Sequence, residues 1–263
     1  MQFGRSHVDI DFNQSKKPKH FVVLGKVETK LKTLLKDFPH ELIQRVENDV
    51  EKSRKGKSPS FCKSYENLEG TNFTVCLLSE SEIKTRKQQK VFLRKNLIGV
   101  LKKIENSQEI SLKLKLDKKN FESILRDFLA LVHIAHWTFP KVSNEKKKLK
   151  KFSVVIDLDS AFAEKKKLKE IALEAESYAK SCHRLKSLAE APSNVLDPKN
   201  YRRYLESYAK ERGLEFEFWD SKRLKKENAG AFLAVLAADK HTHGGLVRIC
   251  LLYTSDAADD RMR

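Results

Sequence analysis

Three histidine pairings and one acidic run are the places where this sequence could carry chemistry. His133 and His136 stand three apart, a spacing that puts two imidazoles on one side of a helix, where they could ligate a metal or pass a proton. An ordinary packed pair satisfies the same spacing. His241 and His243 flank Thr242 ahead of Gly244 and Gly245 (HTHGG), but two histidines at i and i+2 without a third ligand do not close a coordination shell. Cys182 beside His183 sets a thiol next to a base. Neighbours on a helix diverge by roughly 100°, however, and no orienting acid is identifiable. Asp256, Asp259 and Asp260 make an acidic cluster in DAADDR near the C-terminus. None of these groups completes a known constellation, so no catalytic, cofactor-binding or metal-binding residue is assigned.

The elements that would position such residues alternate along the first 160 positions. Val8–Phe12 (VDIDF) and Ile110–Leu116 (ISLKLKL) alternate apolar and polar residues, as half-buried strands do. His20–Leu24, Phe73–Leu78 and Phe152–Leu158 are short runs rich in branched and aromatic residues and suit buried strands. Between them, Phe92, Leu93, Leu97, Leu101 and Ile104 line one helical face, and Phe121, Leu125, Phe128, Leu129 and Val132 line another. Strands separated by amphipathic helices predict an α/β layered domain. Lys52–Glu69, with its GKSPSF stretch, reads as an exposed loop. Glu164–Ala189 reads as a long connector helix, with Leu168, Ile171, Ala172, Ala175, Ala179 and Leu185 turned inward. A second unit follows: a helix over Pro198–Arg212, a turn at Gly213, a strand over Leu214–Trp219, a short helix after Asp220, and a strand over Ala231–Leu236. That order predicts the start of a parallel sheet.

Composition narrows the class. The 263 residues are 40% hydrophobic, enough for a packed core, and no run approaches the roughly 18 apolar residues that span a bilayer. Neither a secretory leader nor a membrane segment is expected, which makes the cytoplasm the expected location. Cys62, Cys76, Cys182 and Cys250 lack CxxC or zinc-ligand spacing and read as reduced, mostly buried thiols. The net charge of +17 invites a polyanion partner. Its distribution argues for solvated surface, because lysines outnumber arginines 39 to 14 and run together in EKKKLKK (145–151) and EKKKLK (164–169) without interleaved aromatics.

The most heavily punctuated stretch is Lys186–Pro198, KSLAEAPSNVLDP. Pro192 disfavours helix at Ala191, Ser193 and Asn194 form turns, and Asp197 sets a capping carboxylate ahead of a proline suited to a first helical turn. This stretch resembles the leucyl aminopeptidase (cytosol aminopeptidase) family of two-metal exopeptidases, whose pattern runs R-x-L-x-N-x-P-x-N-x-L-x-P. Leu188, Pro192, Asn194, Leu196 and Pro198 fit it, while Lys186, Glu190 and Asp197 stand where arginine, asparagine and threonine are usual. His136–Lys141 (HWTFPK) is similar to the aromatic-rich close of the family's N-terminal domain. Gly230–Val235 (GAFLAV) resembles the family's G-A-x-L-A-V strand in order and spacing. Leu236, Ala237, Ala238 and Asp239 replace the glycine and serine expected next, a mark of a divergent branch.

The resemblance implies a macro-like N-terminal α/β/α domain with a mixed sheet over 1–160, a connector helix over 161–190, and the start of a second α/β/α domain, the catalytic one, over 191–249. It implies peptide substrates, a homo-hexamer that can bind nucleic acid, and two divalent metals (zinc, manganese or magnesium) that activate water and polarise the peptide carbonyl. The family's metal-binding motifs look like VGKG followed by an aspartate and, later, NTDAEGR. Neither string occurs in these 263 residues. Cys250–Asp260 (CLLYTSDAADD) resembles the translation of a transposase-based sequencing adapter, so residues 250–263 are expected to be a non-native tail. DAADDR then echoes the metal motif only superficially, since it lacks the glutamate. The chain by itself is expected to be inactive. The competing expectation is a basic nucleic-acid-binding α/β module without peptidase activity.

Overall fold

The computed structural model describes residues 7–12, 20–36, 38–55, 60–103, 109–116, 118–137, 151–157, 164–238 and 243–251. The chain divides into two compact units that part between Ser187 and Leu188.

The larger unit is built on a six-stranded mixed sheet. Its strands are β1 (His7–Asp11), β2 (His20–Lys26), β3 (Phe61–Glu66), β4 (Asn72–Leu78), β5 (Glu109–Lys115) and β6 (Lys151–Asp157), in the order β1-β6-β5-β2-β4-β3. All neighbours run parallel except β3, which pairs antiparallel with β4 at one edge. Side chains alternate between the two faces of a strand, so β2 sends Val22 and Leu24 to one core and Val23 to the other. The short helix α3 (Glu80–Ile83) follows β4, and the first core gathers three longer helices: α4 (Arg86–Lys103) through Phe92, Leu93, Leu97 and Leu101; α5 (Lys118–Ala135); and α6 (Lys165–Glu190) through Leu168, Ile171 and Ala175. The second core takes α1 (Leu31–Leu34), with Leu34 and Leu35, and α2 (His40–Lys55), with Leu42, Val46 and Val50, against Phe73, Val75 and Leu77. There Phe21 stacks on Phe73 at 5.1 Å, with Phe38 edge-on to both. Apolar helices on both faces of a sheet make the predicted α/β/α layering.

Several expectations need correction. Lys52–Glu69 is not one exposed loop. Helix α2 runs through Lys55, and Phe61–Glu66 is strand β3, with Tyr65 buried against the second core and its hydroxyl donating to Asp49 at 3.0 Å. Leu185 does not face inward but is 68% exposed, because the buried row of α6 steps from Ala179 to His183 and Ser187. Cys62 and Cys76 are not both free thiols. They stand directly opposite in the β3–β4 register, with Cα atoms 4.1 Å apart, and form a disulfide. Without that register, a separation of 14 residues carries no pairing signal. Cys182 and Cys250 are free and partly exposed.

The smaller unit opens as its punctuation predicts. Asp197 caps helix α7 (Pro198–Glu211), its carboxylate accepting the Asn200 backbone N–H at 2.6 Å, with Pro198 at the first helical position. Asp197→Ala should therefore destabilise α7 by about 1 kcal/mol, read as faster amide exchange over residues 198–203. The helix closes at Gly213 (φ 64°), where Leu214 N–H reaches the Ala209 carbonyl at 2.9 Å and Gly213 N–H the Lys210 carbonyl at 3.3 Å. Strand β7 (Glu215–Trp219) follows, then helix α8 (Ser221–Lys226), capped by Asp220 and closed by Asn228 at φ 52°.

Residues 231–236 are helix, not strand. Helix α9 (Gly230–Leu236) takes hydrogen bonds from Leu233 to Ala229 and from Ala237 to Leu233. A six-residue apolar run is ambiguous by periodicity, and its alanines and leucines favour helix where only Val235 is branched at Cβ. The strand comes later, as β8 (Leu246–Cys250), and it pairs antiparallel with β7, so the predicted parallel start is also overturned. Gly245 permits the close return. A Cβ there would fall 2.5 Å from the Phe218 ring and from the Trp219 carbonyl oxygen.

Candidate functional site

The structure brings one histidine pair predicted from sequence together with a third ring. Helix α5 presents His133 as a buried residue and α6 presents His183, whose Nε2 lies 3.1 Å from the His133 carbonyl oxygen. A carbonyl only accepts, so Nε2 carries the proton and this tautomer is set by the fold. Trp137 lies beside the His183 ring, with the Lys186 ammonium 4.5 Å above the indole. Burial holds His136 and His183 down to about 4, and His133 also below its ordinary value. The proximity of His133 adds to the effect at His136, while the bond to the His133 carbonyl works against it at His183. All three imidazoles are therefore neutral at pH 7. The sequence signal for His183 is its place four residues after Ala179 in the inward row of α6, which its adjacency to Cys182 does not carry.

A second polar cluster crosses from α4 to α5. Ser123 Oγ donates to Gln89 Oε1 at 3.2 Å, and Gln89 Nε2 donates to Asp127 Oδ2 at 3.0 Å. Arg86 and Lys90 approach the other carboxylate oxygen at 3.9 and 4.0 Å. Burial raises the Asp127 carboxyl above its ordinary value in spite of these two cations, Arg126 and the Gln89 hydrogen bond. Lys90 also sits 4.5 Å over the ring of Tyr178, which hydrogen-bonds Cys182 one turn along α6. The Ser123–Gln89–Asp127 chain joins α4 to α5 through two side-chain hydrogen bonds, the pattern of a structural clasp.

Neither cluster has the ligand set of a metal centre. Among the described residues no three His, Cys, Asp or Glu side chains converge to hold an ion. The two divalent metals implied by the family resemblance thus find no fitting donors among these residues. His241, Thr242, Asp256, Asp259 and Asp260 lie outside the described residues, as do Thr138–Lys141 and the first six residues of EKKKLKK. His243 is described and exposed. No helix among the described residues is long and apolar enough to cross a membrane.

Neither a family model nor a curated protein matches the sequence. Solved structures do. A tomato leucine aminopeptidase mutant superposes with a TM-score of 0.62 at 15% identity, over 97% of this chain and 53% of that one. The fold is that seen in leucine aminopeptidase. Two further structures match at TM-scores too low to carry argument: the cytosol aminopeptidase from Coxiella burnetii (0.46, 13% identity, 83% of this chain and 41% of that one) and the bottromycin maturation enzyme BotP in complex with Mn (0.48, 10% identity, 80% and 40%). The chain spans about half the length of the structures it matches, or less. The mixed sheet with helices on both faces agrees with the N-terminal architecture expected from the resemblance.

Proposed function

We propose that this chain is the N-terminal portion of a leucyl-aminopeptidase-like metallo-exopeptidase, a hydrolase that releases N-terminal amino acids from peptides. The observation that carries this reading is the fold likeness to tomato leucine aminopeptidase across 97% of the chain. The ordered landmarks at 136–141, 186–198 and 230–235 support it from the sequence side. In this reading residues 1–160 form the N-terminal domain, 161–190 the connector and 191–249 the entrance to the catalytic domain, with 250–263 non-native. The intact protein is a cytoplasmic homo-hexamer with two zinc, manganese or magnesium ions.

On this reading the chain is inactive by itself, because neither the VGKG-like nor the NTDAEGR-like motif that would hold the metals occurs in it. The purified chain, supplied with manganese and a leucyl-anilide substrate, should release no more product than the metal-only blank. Turnover above that blank overturns the inactivity. The net charge of +17 favours one competing reading, a basic nucleic-acid-binding module. Its mark is duplex DNA binding that weakens steeply with salt.

A further inference from the structure

We propose that Cys62–Cys76 is a reversible thiol–disulfide switch that sets how firmly edge strand β3 is held to the sheet. This does not depend on the peptidase reading. Strand β3 has one strand neighbour, β4, and is held on its two faces by different means. On the face toward the second core, Phe61 and Tyr65 pack on its apolar cluster, while Asp49 of α2 accepts from Lys63 at 2.8 Å and from the Tyr65 hydroxyl. On the opposite face β3 offers only Cys62, Ser64 and Glu66. The cross-strand links there are the disulfide and one hydroxyl pair, Ser64 with Thr74 at 2.9 Å. Opening the disulfide therefore removes the one covalent tie on a face where Cys62 alone of the three packs on the first core, and leaves the other face docked.

Access also favours exchange. Cys76 is fully buried in the first core, but Cys62 is half-buried on the edge strand and is the sulfur an external thiolate can reach. A dithiol reductant attacks Cys62 Sγ, forming a mixed disulfide and expelling Cys76 as a thiolate that takes up a proton. The second thiol of the reductant then closes on the first and releases Cys62. One disulfide and one dithiol become one dithiol and one disulfide, with two electrons passing to the protein. The segment ahead of β3 is tied to the end of β4, where Ser79 N–H donates to Ser60 Oγ at 3.1 Å, so loosening should spread along that edge.

The test uses the full chain. Alkylated under denaturing conditions without reductant, it should take up label at two cysteines, and after dithiothreitol at four. In the native protein, reduction should speed amide exchange over residues 61–66 by at least tenfold and leave α5 unchanged. Cys62→Ser should exchange at the fast rate with or without dithiothreitol. Four labelled cysteines before reduction would overturn the proposal, and so would unchanged exchange over 61–66 once reduction is confirmed by labelling.

Discussion

Phe128→Ala is expected to cost about 3–5 kcal/mol, more than any other single truncation proposed for this chain. Phe128 is fully buried on α5 and belongs to the core cluster that joins the sheet residues Leu24, Ile110 and Leu112 to α4 and α6. Removing the ring takes away its transfer free energy and leaves a void that three surrounding elements cannot close together, since interiors are packed to crystal density. Domains of this size have net stabilities of about 5–15 kcal/mol, so the loss is a large fraction of the whole. Urea unfolding followed by far-ultraviolet circular dichroism reads it as a lower midpoint, and Phe128→Leu should recover most of it. Leu173→Ala, on an α6 position that is 65% exposed, should move the midpoint little. Equal midpoints for Phe128→Ala and Leu173→Ala would show that α5 is not the centre of this core.

Helix α5 also shows how far the sequence is legible. Its predicted inward face, Phe121, Leu125, Phe128, Leu129 and Val132, is buried as expected, and so are Phe92, Leu93, Leu97 and Leu101 of α4. Hydrophobic period reports a helix's principal contact well. It does not report that Ala130, Leu131, Asp127 and His133 are buried too. Those positions lie off the apolar stripe and are covered by neighbouring elements, Asp127 through the Gln89 network and His133 beneath α6. Burial of a polar residue depends on a partner remote in sequence, here 38 residues away for Gln89 and 50 for His183. The five predicted strands of the larger sheet were legible for the same reason that α9 was not. Branched and aromatic residues mark a strand, in alternation or in a short run, whereas GAFLAV has a single Cβ-branched residue and is rich in good helix formers. Strand β3 escaped because KSYE reads as polar surface, while an edge strand needs only one apolar face. The candidate site was least legible of all. His133, His136 and His183 meet only once α5 and α6 pack, which no spacing along the chain reports.

That packing makes the larger unit acid-sensitive, with a sign fixed by the shifts at its histidines. His136 and His183 are held down to about 4 in the folded chain, and His133 is also lowered, against 6.5 for an unburied imidazole. Between these values the unfolded chain binds more protons than the folded one, so stability is full above about pH 6.5 and is lost as the pH falls towards 4. His136 is only partly buried, so it contributes about 1–2 kcal/mol, less than its full shift would give, and the buried His183 contributes with the same sign. Around these rings Glu176 favours protonation of His133, while Lys180 and Lys186 oppose the added charge at His133 and His183. Asp127 runs the other way. Its carboxyl is raised by burial, so the folded chain holds that proton more tightly, and its contribution is present in acid and lost as pH rises through the raised value. Net stability should therefore fall from pH 6.5 to 4 with a slope of up to three protons, partly offset by Asp127. His183→Gln keeps an N–H to offer the His133 carbonyl and removes one titrating ring, so it should reduce the slope by about one proton. Asp127→Asn should steepen it by removing the offset. Urea midpoints measured every half pH unit test both, and a profile flat between 6.5 and 4, or one that His183→Gln leaves unchanged, would mean these rings are not buried neutral in the folded protein.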